Sequence, residues 1–282
     1  MANNEITKYS PKLNTIPLKK FTATEMNLFF SIISKMRDRK DETVRFTFSK
    51  LKDLSEYKPT ANKRFVNDLR KTYKKILDLK FIDQNANGLD ETVFVLFSKF
   101  TIRGTADEPY VDIKIYEEAL PLLNNLEEWV RYSLHEFNNI NSTYAKTAFR
   151  LLKQYRTTGF AYFKKDEFRE LLDIPKSYSN AEVTRTVLKT IQKNLDEFFD
   201  DLTITPIHKK GRGNPIAAYQ FTFKPEERKQ DDFKFVESAA KPSAKTTHQE
   251  VATDWSKKEA SQLDSDNPDL NNILTQIDEV HA

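Results

Sequence analysis

Two stretches decide the fold. FTFSKLKDLSEYKPTANKRFVNDLRKTYKKIL (46–77) and AYFKKDEFRELLDIPKSYSNAEVTRTVLKTIQKNL (161–195) carry the same succession of elements. Each opens on a short alternating run, passes into a short amphipathic helix, breaks at a proline (Pro59, Pro175) and enters a long helix. The residue before proline is pushed out of helical geometry, so each proline separates two helices. Phe48 falls on Phe163, Leu69 on Leu188 and Ile76 on Leu195, an offset of 115 to 119 residues. Identity is low, so the shared order of elements carries the repeat.

Working outward, each stretch gains a helix before it and two strands after it. Upstream of the first, Thr22-Ala23-Thr24-Glu25 is a capping box that opens a helix with Met26, Phe29, Phe30 and Ile33 on one face. The alternation of 43–48 predicts a strand, and Ser49 is expected to cap the short helix that follows. The long helix is predicted over 60–79, then strand-like runs over 92–102 and 110–115, with turn chemistry at Asn87-Gly88 and Gly104. In the second copy, Asn141-Ser142-Thr143 caps a helix through Tyr155, ended by Thr157-Thr158-Gly159. A strand over 160–163, a short helix over 164–172, a long helix over 179–199 and strands over 202–208 and 216–223 complete it. Helix, strand, helix, turn, helix, strand, strand is the order of a winged helix, a helix-turn-helix with a β-hairpin appended.

The predicted fold is α+β, mainly α: two tandem winged-helix domains and a flexible acidic C-terminal tail. Residues 1–20, polar and carrying Pro11 and Pro17, read as an extended arm. Residues 21–125 form the first domain, 126–224 the second, and 225–282 a mostly disordered tail. In that tail DLNNILTQIDEV puts Leu270, Ile273, Leu274 and Ile277 at the spacing of a short helix.

Composition narrows the function. No cysteine is present, which excludes disulfides, thiolate metal sites and a cysteine nucleophile. No apolar run approaches the roughly 18–20 residues that span a bilayer, and MANNEITKYSPKLN lacks the apolar core of a signal peptide, so a cytoplasmic protein without membrane contact is expected. No GxxxxGK[ST] loop occurs. His135, His208, His248 and His281 are scattered, with no HxH to hold the metal of a nicking enzyme. The acidic pairs Glu117-Glu118, Glu127-Glu128 and Asp200-Asp201 are adjacent in sequence and do not converge on one site from a helix. Neither catalysis nor a cofactor is expected.

Charge points elsewhere. Residues 1–224 hold 38 Lys+Arg against 29 Asp+Glu, and residues 225–282 hold 7 against 13. A basic body with an acidic tail suits a nucleic-acid binder, and equally a solvated surface beside a disordered tail. In a helix-turn-helix the second helix enters the major groove. In the second copy Val183, Val187, Leu188, Ile191, Leu195 and Phe198 share one face, and Arg185, Thr186, Lys189, Gln192 and Lys193 the other. Arg185, Lys189 and Lys193 form a row four residues apart. In the first copy Phe65, Leu69, Tyr73 and Ile76 pack inward, while Arg64, Asn67, Lys71, Lys74 and Lys75 face outward, with Asp68 and Asp78 close to the row. The stretch HKKGRGN (208–214) spends two of the five glycines where the wing belongs. Its Lys209, Lys210 and Arg212 would follow a sugar-phosphate backbone or reach into a minor groove.

The segments 142–159, 163–178, 183–198 and 204–223 resemble the second winged helix of plasmid replication initiators. They are most similar to RepB-type initiators of theta-replicating plasmids from Gram-positive bacteria, relatives of the iteron-binding RepE and RepA proteins. FTATEMNLFFSIISKM (21–36) and its winged helix fit the first half, and the resemblance covers about residues 5–224. It implies binding of tandem repeats (iterons) in duplex DNA at a plasmid origin, opening of AT-rich DNA, and recruitment of a host initiator or helicase. It also implies a monomer–dimer equilibrium, with dimers formed through the first domain repressing their own gene. The principal contacts would then be Arg185, Lys189, Lys193, Lys209, Lys210 and Arg212. The start of the second recognition helix departs from the family's denser basic cluster. Ser179-Asn180-Ala181-Glu182 stands there, which adds Lys176, Ser179 and Asn180 as candidates. A winged-helix transcriptional regulator, a nickase and a protein-interaction module remain as rival readings.

Overall fold

The computed structural model describes residues 5–58, 61–84, 87–211 and 215–228. The tail beyond 228, with its expected short helix, lies outside them.

The first winged helix is built on α1 (Ala23–Met36), whose capping box is present as expected: the Thr22 hydroxyl accepts from the Glu25 amide and the Glu25 carboxylate from the Thr22 amide. Strand β2 (Thr43–Thr47) leads into α2 (Phe48–Leu54), capped by the Thr47 hydroxyl rather than by Ser49. Then α3 runs over Asn62–Leu77, shorter at both ends than predicted, and no side chain caps its start. The expected single strand over 92–102 is two. β4 (Glu91–Phe94) turns back on β3 (Phe81–Gln84), while β5 (Phe97–Arg103) pairs with β6 (Tyr110–Ile115). Leu96, fully buried, marks the kink where the chain changes partner. Alternation continues through the kink, so the sequence pattern alone does not reveal it.

The polar N-terminus is a correction. Residues 6–20 are not an extended arm: β1 (Ile6–Tyr9) pairs antiparallel with β7 (Val130–Ser133), and Tyr9, Leu13 and Leu18 are buried. Three well-spaced apolar anchors suffice to hold a segment whose average composition is polar. Beyond β7, α4 (Leu134–Asn139) packs on α1.

The second winged helix consists of α5 (Thr143–Lys153), β8 (Phe160–Lys164), α6 (Lys165–Leu171), the long helical rod, β9 (Thr203–His208) and β10 (Ile216–Thr222). Its sheet order, β8-β10-β9, repeats the β2-β6-β5 order of the first. The two helix-turn-helix turns match in the backbone as well. Glu56 (φ 49°) and Asp173 (φ 52°) both adopt the left-handed conformation just after α2 and α6. In both, the next residue's N–H reaches back five positions, Tyr57 to the Lys52 carbonyl (2.8 Å) and Ile174 to the Arg169 carbonyl (2.9 Å). These are paired Schellman caps, built here without glycine.

The rod departs from the prediction. Helix α7 (Asn180–Glu182) passes into a π-helical segment, Val183–Leu188, before α8 (Lys189–Leu195). Val183, Thr184, Thr186, Val187, Thr190 and Ile191 are all β-branched. Threonine hydroxyls compete for backbone carbonyls, Thr184 with that of Asn180 (3.1 Å) and Thr190 with that of Thr186 (2.6 Å). Crowding at Cβ and this competition both disfavour a tight α-helix. The two domains share one buried cluster, in which Phe30 of α1 meets Tyr9 and Phe137, and Phe149 of α5 meets Tyr132, Phe198 and Phe199.

Candidate nucleic-acid interface

In the second domain the helix-turn-helix is locked by Arg169 of α6, whose guanidinium donates to the carbonyls of Tyr178 (2.7 Å) and Pro175 (3.1 Å). Those bonds fix the turn that launches the rod. A second capping box, Ser179 with Glu182, closes its N-terminus, and the hydrogen bonds from Ser179 hold the Glu182 carboxyl below its ordinary range. Inward, Val183, Val187, Leu188, Ile191 and Leu195 are buried, as predicted. Outward, Arg185, Lys189 and Lys193 are exposed and form no hydrogen bond or ion pair within the described residues. Thr186 is half-buried. Gln192 is not free to read a base: its amide donates to the Leu202 carbonyl (2.7 Å) and to Asp196 (3.1 Å), tying the rod to β9.

The wing is the β9–β10 hairpin, closed by the Lys209 amide donating to the Pro215 carbonyl (2.9 Å). Lys209 and Lys210 are exposed at its tip, and Gly211 beside them has nothing within 4 Å of where a Cβ would stand. Arg212 lies outside the described residues. Row and wing together form a basic surface with unspent donors, the kind that neutralises phosphates and takes guanine acceptors.

The first domain divides its expected row. Asn67 lies in a groove of about 490 Å³ between α3 and the β5–β6 wing, beside Asn62, Lys63, Val66, Arg70, Arg103 and Gly104. Arg64, Lys71 and Lys75 instead line a cleft on the opposite flank, with Glu25 and Asn138. Lys75 is a correction: its ammonium is committed to the Glu25 carboxylate and the Lys20 carbonyl, because α3 packs against the start of α1. Lys71 stands 4.0 Å from Asp68, and Lys74 is exposed. Lys63, Arg70 and Arg103 face the wing groove and were not anticipated. A helical wheel separates inside from outside but does not tell which flank the wing takes. This wing's tip carries Asp107 and Glu108 where the second carries Lys209 and Lys210.

Among the described residues no group of histidines and carboxylates is placed to hold a metal ion, and no helix is long and apolar enough to cross a membrane.

The comparisons agree with the tandem winged-helix fold. The family model described as initiator replication protein, WH1, matches residues 6–153, and that described as initiator Rep protein, WH2, matches 164–223. The chain belongs to the initiator replication proteins. A curated relative, "Probable replication protein rep" of Bifidobacterium longum (strain NCC 2705), is 31% identical over 226 residues, 78% of this chain and 73% of the relative. Among solved structures, a crystal structure of the Pi initiator protein in complex with iteron DNA covers 81% of this chain and 100% of its own, with a TM-score of 0.60 at 14% identity. At that identity the likeness is one of fold: two winged helices in tandem.

Proposed function

We propose that this initiator binds iteron repeats in duplex DNA at a plasmid origin and starts theta replication there, by binding rather than by catalysis. The observation that carries the reading is the second domain's row of Arg185, Lys189 and Lys193, exposed and with no hydrogen bond or ion pair among the described residues, beside a wing tipped with Lys209 and Lys210. Arg185 offers bidentate contacts to a base, and the lysines offer point charges to phosphates. Membership of the initiator family and the fold shared with a protein solved on iteron DNA support the same reading.

In this scheme the second domain is the principal reader. The first domain, with an acidic wing tip and a divided row, contacts the remainder of each repeat or pairs with a second copy. Dimers repress the protein's own gene, and a host initiator or helicase is recruited to the opened origin from the cytoplasm.

The test is a gel-shift titration on the DNA flanking the gene, with competitor DNA and varied salt. A ladder of discrete complexes on a repeat array is the expected result. A single complex on one inverted repeat would instead identify a dimeric repressor. Diffuse binding that competitor abolishes would defeat sequence-specific recognition altogether.

A further inference from the structure

Strand β8 carries two aromatic rings that the fold does not use. Phe160 and Tyr162 are 46% and 47% exposed, and neither makes a ring–ring or cation–ring contact among the described residues. They stand two residues apart, so both point to the outer face of the β8-β10-β9 sheet, with about 7 Å between their Cα atoms. Register fixes their neighbours. Phe160 pairs with Thr222 of β10 and Thr222 with Thr203 of β9; Tyr162 pairs with Gln220 and Gln220 with Thr205. Directly opposed residues on antiparallel strands share a face. The rings are therefore flanked by hydroxyls and an amide, not by aliphatic side chains. A protein-docking patch wants contiguous apolar surface, and this face does not supply it.

The equivalent face of the first domain shows what a closed version looks like. There Arg45 of β2 forks onto Asp112 of β6 at 2.8 and 2.9 Å, and its guanidinium stacks over Tyr110 at 3.7 Å. That guanidinium–carboxylate fork holds the Asp112 carboxyl below its ordinary range. One copy of the repeat covers the ring on this face with its own cation; the other leaves two rings bare.

We infer that the outer face of the second domain's sheet binds single-stranded DNA, with successive unpaired bases stacked on Tyr162 and Phe160. Each ring offers a platform to a base of any identity, and the adjacent Gln220, Thr222 and Thr205 offer hydrogen bonds to base edges. Lys164, next in the same row and paired in register with Ala218, supplies a cation for the backbone. That end of the sheet leads into the wing with Lys209 and Lys210. A duplex held by rod and wing thus lies beside the place where a strand freed from it would come to rest. The stacking site is independent of which duplex sequence is read.

The test uses the full chain and labelled oligothymidylate, followed by fluorescence anisotropy at moderate salt. The same preparations are titrated with the duplex shifted in the experiment above. The wild type is expected to bind the oligonucleotide, and Phe160→Ala/Tyr162→Ala to bind it about tenfold or more weakly with duplex affinity unchanged. Tyr162→Trp, which keeps a ring in place, is expected to retain binding. The inference is overturned if the wild type does not bind the oligonucleotide, or if the double variant binds it as the wild type does. It is equally overturned if the double variant loses duplex and single-strand affinity in parallel, since the rings would then only support the fold. Failure of the duplex arm alone would count against the iteron reading and leave the stacking site standing.

Discussion

Arg185 and Lys210 are both exposed cations of the second domain, yet different effects are expected from removing them. Arg185 projects from the rod, where a guanidinium can take two acceptors of one guanine. Arg185→Ala is expected to weaken binding to the specific site by roughly 1–3 kcal/mol and to relax preference at one base position. Lys210 sits on the wing tip, where the proposed duplex would bring a phosphate, so Lys210→Ala should weaken specific and non-specific DNA binding alike and lower the salt slope by about one. Titrations at several salt concentrations separate the two, and wild-type behaviour in both variants would remove the second domain as reader. Lys146 acts on stability instead. It lies fully buried between α4 and α5, donating to the Phe137 carbonyl, with its ammonium over the Phe137 ring at 4.1 Å. Burial lowers its pKa from 10.5 to about 7, against a smaller upward pull from Glu56. Between those values the unfolded chain binds the proton and the folded one does not, so stability should rise with pH from about 7 towards 10.5. Below that window both states are protonated and the cost of burying the charge is complete. Lys146→Met is therefore expected to stabilise the protein most at and below neutral pH, by on the order of a few kcal/mol, and to flatten the profile across the window. Thermal melts of both proteins from neutral to alkaline pH check it, and parallel profiles would refute it.

At the scale of elements, Gly159 joins α5 to β8 in the left-handed conformation, in a place with no room for a side chain. Its φ is +66°, and a Cβ there would lie 2.4 Å from the Phe223 carbonyl oxygen, whose residue hydrogen-bonds back to Gly159. Gly159→Ala combines left-handed strain with a backbone clash. It should cost roughly 2 kcal/mol or more, read as a lower urea midpoint with unchanged slope. The same substitution at Gly211 (φ +155°), which faces open space, brings backbone strain but no such clash. The elements most legible in the sequence were those set by short-range chemistry: the capping box at Thr22, the helix pair separated at Pro175, the glycine at the end of α5. Repetition made the architecture readable as well, because two weak patterns in the same order constrain each other. What escaped was set by partners distant in the chain. The break between β4 and β5 depends on which strand each one meets, and the split of α3's cations depends on where α1 and the wing lie. The π segment shows the limit of a strict helical period. A run of β-branched residues keeps the amphipathic pattern while altering the ladder of hydrogen bonds beneath it.

At the scale of the whole molecule, the N-terminal segment binds the two halves together, and its removal is the sharpest test of the fold. Tyr9 and Arg150 both donate to the Asn14 side-chain oxygen at 3.0 Å, while the Asn14 amide donates to the Arg150 carbonyl (3.1 Å) and to Gln154 (3.2 Å). Arg150 is fully buried on α5 and stacks on Phe30 of α1 at 4.8 Å, so one guanidinium touches the N-terminal segment and the first helix of each winged helix. If residues 1–20 were a free arm, deleting them would leave stability unchanged. Here deletion strips Tyr9, Leu13 and Leu18 from the core, worth roughly 1.5–3 kcal/mol for each fully buried side chain. It also leaves the Arg150 guanidinium buried without its acceptor, a further cost of several kcal/mol. The sum is comparable to the roughly 5–15 kcal/mol that holds a typical protein folded. A chain lacking residues 1–20 is therefore expected to be insoluble or to melt without a cooperative transition. Asn14→Ala, which removes only the polar hub, should fold with a lowered melting temperature. A truncated chain that melts like the full one would mean that the segment is dispensable and that the two winged helices hold together without it.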